Sequence, residues 1–195
     1  MKKILLFLST GFESLEAAPF IDVFGWNSVV GSKDISLVTC GFHHEILATW
    51  NLKIIPEINL SEEEIDINNF EGIIIPGGFG KANFFKDIKN PIFNTILHYF
   101  NEKNKYIIGI CTGALAIGEA GLLKNIPATT YLLDNNRYFN QLEKYLAIPL
   151  RKEIVIYNNI ITSSAPKTSI DVAFLILEKL TSEKNMKKVK NEMGF

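Results

Sequence analysis

Short runs that are apolar at almost every position alternate along the chain with longer segments in which apolar residues return every three or four places. Residues 3–9, 35–40, 71–75 and 105–110 are of the first kind and read as strands, and the unbroken ones among them have to be covered on both faces. The second kind begins at Glu16 and runs to about Val30, where Ala17, Phe20, Ile21, Phe24 and Val29 share the spacing of a helical stripe and Pro19 fits only near the first turn. Helices are also predicted over 91–101 and 135–145, and from Thr168, which stands at capping-box distance from Asp171 ahead of the stripe Val172, Leu175, Ile176 and Lys179. Residues 45–55 read as a pair of strands or a projecting arm, 61–69 as an acidic connection and 128–131 as a short apolar piece. Two further strands, 153–157 and 160–164, flank Asn158-Asn159, a plausible hairpin turn because Asn tolerates positive φ.

Strand, turn and helix follow one another with no repeat, low-complexity tract or long linker. The expectation is one α/β domain over residues 1–195, built on a mostly parallel sheet with helices on both faces. The lysine-rich tail, 182–195, carries Met186, Val189 and Met193 on one helical face, so a packed terminal helix is favoured over a nucleic-acid arm.

Composition narrows the function classes. At 195 residues a core large enough to dispense with disulfides or a structural metal is within reach. Twenty Lys+Arg against 21 Asp+Glu leave a formal charge of −1, which argues against nucleic acid as the main partner. No run approaches the roughly 18 apolar residues of a membrane span. The start resembles a signal peptide in outline, but its apolar run is too short and Glu13 and Glu16 follow without a cleavage site. With only Cys40 and Cys111, both expected as thiols, a cytoplasmic setting is expected.

In a parallel sheet ligands bind along the edge formed by the strands' carboxyl ends. Three unusual stretches fall there: residues 11–16, Pro76-Gly77-Gly78 and Cys111-Thr112-Gly113. Cys111 sits where an apolar strand turns into a helix, so it is either a buried small hydrophobe or an exposed elbow thiol whose thiolate the helix start favours. Glu16 is either a solvated residue at the positive end of its helix or a carboxyl facing Cys111, able to stay protonated and donate to the sulfur. Glu13 is expected to be exposed, and Cys40 to be inert. Gly77 and Gly78 are either simple turn residues or a side-chain-free backbone whose amides reach a substrate's developing negative charge. Neither glycine stretch has the spacing of a dinucleotide or phosphate loop, and His43, His44 and His98 have no zinc spacing, so no cofactor and no metal are expected.

Taken together these stretches, with 128–131 and 161–164, resemble the DJ-1/PfpI (ThiJ) superfamily over nearly the full length. The resemblance implies a flavodoxin-like three-layer α/β sandwich, related to the class I glutamine amidotransferases, with a nucleophile elbow. It implies Cys111 as the elbow cysteine, Glu16 as its acidic partner, and Gly78 and Thr112 as donors of the amides of an anion pocket. PfpI-type peptidases have His where this chain has Thr112, and DJ-1-type members have His where it has Tyr131, so proteolysis is not expected. Residues 111–115, 120–123 and 128–130 look closer to the isonitrile hydratase-like branch. The implied function is a cysteine-dependent small-molecule enzyme: a hydratase or lyase, or one of glyoxalase or deglycase type. Cys111 would attack, Glu16 would move the proton, and Thr112, Gly77, Gly78 and Tyr131 would line the substrate site. The alternative is a noncatalytic redox sensor whose Cys111 is oxidised to a sulfinate. A homodimer is expected by analogy, and neither a membrane nor a nucleic-acid partner.

Overall fold

The computed structural model describes residues 1–195. Its elements in chain order are β1 (Lys2–Phe7), α1 (Ser14–Val30), β2 (Ile35–Gly41), β3 (Ile46–Leu47), β4 (Lys53–Ile54), β5 (Ile58–Asn59), β6 (Phe70–Ile75), α2 (Phe84–Asp87), α3 (Pro91–Glu102) and β7 (Tyr106–Ile110). There follow α4 (Gly113–Glu119), β8 (Pro127–Ala128), α5 (Gln141–Lys144), β9 (Ile148–Pro149), β10 (Ile154–Tyr157), β11 (Ile160–Ser163), α6 (Ser169–Leu180) and α7 (Glu183–Glu192).

Seven strands form one sheet in the order β10-β11-β7-β6-β1-β2-β5. Every pairing is parallel except β10 with β11, the hairpin that turns at Asn158 with φ of 53°. Along β1 the side chains alternate between two apolar clusters. Leu5 and Phe7 enter the cluster shared with α3 and α4, whereas Ile4 and Leu6 enter the one shared with α1, α6 and α7. A strand that supplies both cores has no room for polar positions, which is why its sequence is unbroken. The result is a flavodoxin-like three-layer α/β sandwich.

The tail joins the second cluster. Val189 of α7 is fully buried, and Met186 and Met193 pack against it. The arm predicted at 45–55 is the antiparallel pair β3–β4, closed by a turn in which Trp50 and Asn51 take φ of 62° and 63°.

Some expectations need correction. Helix α1 begins at Ser14, two residues early, so Pro19 lies in its second turn. No helix spans 135–145: Asp134, Asn135 and Asn136 all have positive φ, which ends helical propagation, and α5 keeps one turn. The capping box at Thr168 does not form, because a 3-10 turn precedes α6 and the Thr168 hydroxyl donates to the Ala165 carbonyl instead.

Candidate active site

Strand β7 delivers the chain into the sheet edge at Ile110, and the next residue, Cys111, has φ of 52°. A left-handed conformation costs a non-glycine residue about 1–2 kcal/mol, so the surroundings must impose it. They do so on both sides of the residue. The Cys111 amide donates to the Ser163 carbonyl at 2.8 Å, and the Cys111 carbonyl accepts from the Thr130 hydroxyl at 2.7 Å and from the Ala114 amide at 3.2 Å. Gly113 permits the immediate turn into α4, because a Cβ there would lie 2.1 Å from the Ile75 carbonyl oxygen. The elbow inferred from the sequence is present.

Glu16 meets it from α1. Only 1% of Glu16 is exposed, its Oε2 accepts the Gly77 amide at 2.5 Å, and its carboxyl hydrogen-bonds the Cys111 thiol. Of its two sequence readings, the carboxyl facing the cysteine is the one observed. Burial pushes the Glu16 carboxyl up to about 8, with the Gly77 and Cys111 hydrogen bonds opposing and the neighbouring Glu13 carboxylate assisting. The Cys111 thiol is also pushed well above its ordinary value, first by burial, then by the charge of Glu16 and its hydrogen bond. The Thr112 amide turned toward the sulfur works in the other direction. The sulfur and carboxyl therefore act as one unit that holds two protons in neutral solution and gives up the first near pH 8. This corrects the expectation of an exposed, readily ionised elbow thiol: Cys111 is 7% exposed, and one amide does not offset the lost hydration.

Glu13 is corrected as well. It is buried rather than exposed, caps α1 by accepting the Leu15 amide, and accepts the Thr49 hydroxyl at 3.3 Å.

The glycines sit at the site, but their amides are not free. Gly77 donates to Glu16, and Gly78 donates to the Thr112 hydroxyl at 2.8 Å while that hydroxyl donates to the Gly78 carbonyl, also at 2.8 Å. A Cβ on Gly77 would fall 2.5 Å from the Thr112 hydroxyl oxygen, so glycine is what lets the β6 turn lie against the elbow. The expected pair of substrate-facing amides from Gly78 and Thr112 is thus reduced to the Thr112 amide, with Gly77 and Gly78 spent on holding Glu16 and Thr112 in place.

A small pocket of about 100 Å³ opens over the sulfur. Glu16, Gly78, Cys111 and Thr112 form its floor, and Phe79, Tyr131, Tyr138 and Pro166 its walls. Tyr131 is thus brought beside Cys111. Phe79 comes from the loop after β6, and Tyr138 from the connection between β8 and α5. Pro166 was missed, although its position just after the carboxyl end of β11 is the signal that would have found it. The histidines are elsewhere: His43 hydrogen-bonds Asp87 at 3.1 Å, His44 faces Glu62, and His98 lies exposed on α3.

The chain belongs to the DJ-1/PfpI family, whose model matches residues 2–179. Protein DJ-1 homolog B of Arabidopsis thaliana is 28% identical over 178 residues, which are 91% of this chain and 37% of the relative. The chain thus spans well under half the length of that relative. The isonitrile hydratase of Pseudomonas putida is 30% identical over 108 residues, covering 55% of this chain and 44% of the relative. Glutathione-independent glyoxalase DJ-1 of Schizosaccharomyces pombe is 27% identical over 194 residues, 94% of this chain and 93% of the relative. In fold, the solved Schizosaccharomyces pombe DJ-1 superposes with a TM-score of 0.81 at 21% identity, covering 99% of each chain.

Proposed function

We propose that this member of the DJ-1/PfpI family is a cysteine-dependent enzyme that adds the elements of water to a small electrophile, with Cys111 as nucleophile and Glu16 as its proton partner. The observation that carries the proposal is a carboxyl, 1% exposed and held by the Gly77 amide, hydrogen-bonded to an elbow thiol at the floor of a small open pocket. Two relatives bear the names isonitrile hydratase and glyoxalase, activities that both fall in that class.

The reactive form is the singly ionised pair, with the charge on sulfur and the remaining proton on Glu16. Because burial and the neighbouring Glu16 push the thiol well above its ordinary value, this is the minor tautomer of the ionised pair, and it is drawn on as it reacts. With an isonitrile, sulfur bonds to the terminal carbon and Glu16 delivers its proton to the same carbon, leaving a thioimidate. Water then adds to that carbon, the nitrogen gains a proton and the C–S bond breaks. The products are a formamide and the regenerated thiol–carboxyl pair. With a 2-oxoaldehyde, sulfur adds to the aldehyde carbon, a proton passes from that carbon to its neighbour by way of Glu16, and water cleaves the resulting thioester to a 2-hydroxy acid. Both sequences sum to substrate plus water and leave the protein's oxidation state unchanged. The Thr112 amide, turned toward the sulfur, is the donor placed to stabilise charge next to the reacting carbon.

Two observations weigh against other readings. Peptide hydrolysis needs a base that also protonates a leaving amine, and none of the three histidines lines the pocket. A sulfinate-holding sensor needs several free donors around sulfur, and the Gly77 and Gly78 amides are already engaged.

A homodimer belongs to the same proposal. The outer face of α1 leaves Ile21, Trp26 and Val29 exposed around Gly25, an apolar surface that a second copy would cover. Cytoplasmic residence is proposed on the two free cysteines. No helix is long and apolar enough to cross a membrane.

Activity assays on small isonitriles and 2-oxoaldehydes test the catalytic proposal. Cys111→Ala should abolish turnover, and Glu16→Gln, which keeps a hydrogen bond but cannot carry a proton, should lower it by about 10²-fold or more. Undiminished turnover in either variant removes that residue from the proposed mechanism.

A further inference from the structure

The walls of the Cys111 pocket carry information about what enters it. Phe79, Tyr131, Tyr138 and Pro166 present rings, and no lysine, arginine or histidine is among the lining residues. The floor holds Glu16 with Glu13 behind it, so the local field is negative whenever the pair is ionised. Arg137, whose guanidinium lies over the Tyr138 ring at 5.2 Å, faces Asp134 at 3.8 Å. A carboxylate or phosphate would find no counter-charge among the lining residues, and repulsion once the pair is ionised.

The mouth is aromatic too. Phe79 is 48% exposed, and against it, 5.9 Å between centroids and at 66°, stands the indole of Trp50. Trp50 is 76% exposed at the tip of the β3–β4 arm, in a left-handed conformation that a bulky residue seldom adopts. The arm is tied to the site by the Thr49 amide and hydroxyl on the Phe12 carbonyl and by the Thr49 hydroxyl on Glu13. The arm therefore sets the indole one ring outward from the pocket.

We propose that the pocket selects uncharged molecules whose electrophilic carbon is joined to an aromatic body, and that Trp50 together with Phe79 is the surface that recognises that body. This rests on the reading of Cys111 as the group that meets the substrate. The electrophilic end reaches the sulfur between Thr112 and Glu16, and the ring lies against Phe79 and under the edge of Trp50. Trp50 touches the substrate's body and not its reacting atoms, so it is a specificity residue.

Three alkylators that all react by displacement of iodide by sulfur separate the elements of the proposal: iodoacetamide, N-benzyl-2-iodoacetamide and iodoacetate. Rate constants at Cys111 are measured at pH 8 by peptide mapping and divided by those of N-acetylcysteine. The benzyl compound should be favoured over iodoacetamide by about three- to tenfold beyond the free-thiol ratio, the range of one aromatic contact, and iodoacetate should be disfavoured. Trp50→Ala should return the benzyl preference toward the free-thiol ratio, and Trp50→Phe should retain most of it. Because the readout is a ratio within one protein, a general change in thiol reactivity cancels. A benzyl preference no greater than that of free thiol overturns the proposal, as does a preference that survives Trp50→Ala. A Cys111 untouched by all three overturns it as well, since no such body then reaches the site. Turnover enters none of these measurements, so failure of the catalytic proposal and failure of this one remain distinguishable.

Discussion

Burying Glu16 beside Cys111 makes folding stability depend on pH in a direction opposite to that of most carboxylates. An ordinary buried carboxylate gains stability as pH rises, because its partners hold the ionised form. Glu16 is held in the protonated form: its pKa is about 8 in the folded protein against 4.5 for the unperturbed group. Below pH 4.5 the carboxyl is protonated in both states and contributes nothing. Between 4.5 and 8 the unfolded chain ionises while the folded one does not, so each pH unit costs up to about 1.4 kcal/mol of stability. Evaluated at the two ends, the penalty is about 1 kcal/mol at pH 5 and about 4 kcal/mol at pH 8. The swing is about 3 kcal/mol, a large fraction of the 5–15 kcal/mol that holds a typical domain together.

Glu16→Gln isolates the effect. Glutamine preserves the shape, its carbonyl can accept the Gly77 amide and its NH₂ can face the sulfur, but it does not titrate. Urea unfolding of both proteins at pH 5, 6, 7 and 8 should show the stability difference moving in favour of the glutamine variant as pH rises, by about 3 kcal/mol over that range. Any constant offset from imperfect packing drops out of the comparison. Parallel stability curves would refute the argument. They would mean that water reaches the carboxyl or that the thiol releases a proton in its place, leaving the pair with no more protons folded than unfolded.

Other outcomes follow from the same geometry. Brief alkylation at pH 8 should label Cys111 and leave Cys40, which is fully buried and whose thiol burial pushes far up; preferential labelling of Cys40 would contradict the elbow. The pH profile of kcat/KM should rise through a midpoint near 8, as the first proton leaves the pair, and a profile flat from pH 6 to 9 would show that the active form carries no titrating proton in that range. Thr112→Val should lower stability by about 1–3 kcal/mol in chemical denaturation, because it strands both the amide and the carbonyl of Gly78 without their hydroxyl partner. Sedimentation velocity should find a dimer, and Trp26→Glu should dissociate it; a monomeric wild type would show that the α1 face has no second copy to cover it.

Much of this architecture is legible along the chain, because the signals involved are local. Unbroken apolar runs such as 71–75 and 105–110 mark strands covered on both faces, the Asn158-Asn159 turn marks a hairpin, and Gly109 to Gly113 around a cysteine marks a strand that must turn at once into a helix. The rule that parallel strands expose their carboxyl ends along one edge then suffices to bring Glu16, Gly77, Gly78, Cys111 and Thr112 together. The protonation of the pair was decided by tertiary structure. Whether Glu16 is solvated or sealed depends on a hydrogen bond to Gly77, 61 residues away, and on β6 and α1 closing over it. The same closure buries Glu13, ties the Gly78 amide to a hydroxyl 34 residues on, and raises a thiol that its place at a helix start alone would lower. Helix 135–145 failed for a related reason: Asp134, Asn135 and Asn136 tolerate left-handed backbone, and only their surroundings make them adopt it. Periodicity records which face of an element meets the core. Desolvation, which sets the charge of the site, is a sum over atoms from distant parts of the chain and exists only once they have packed.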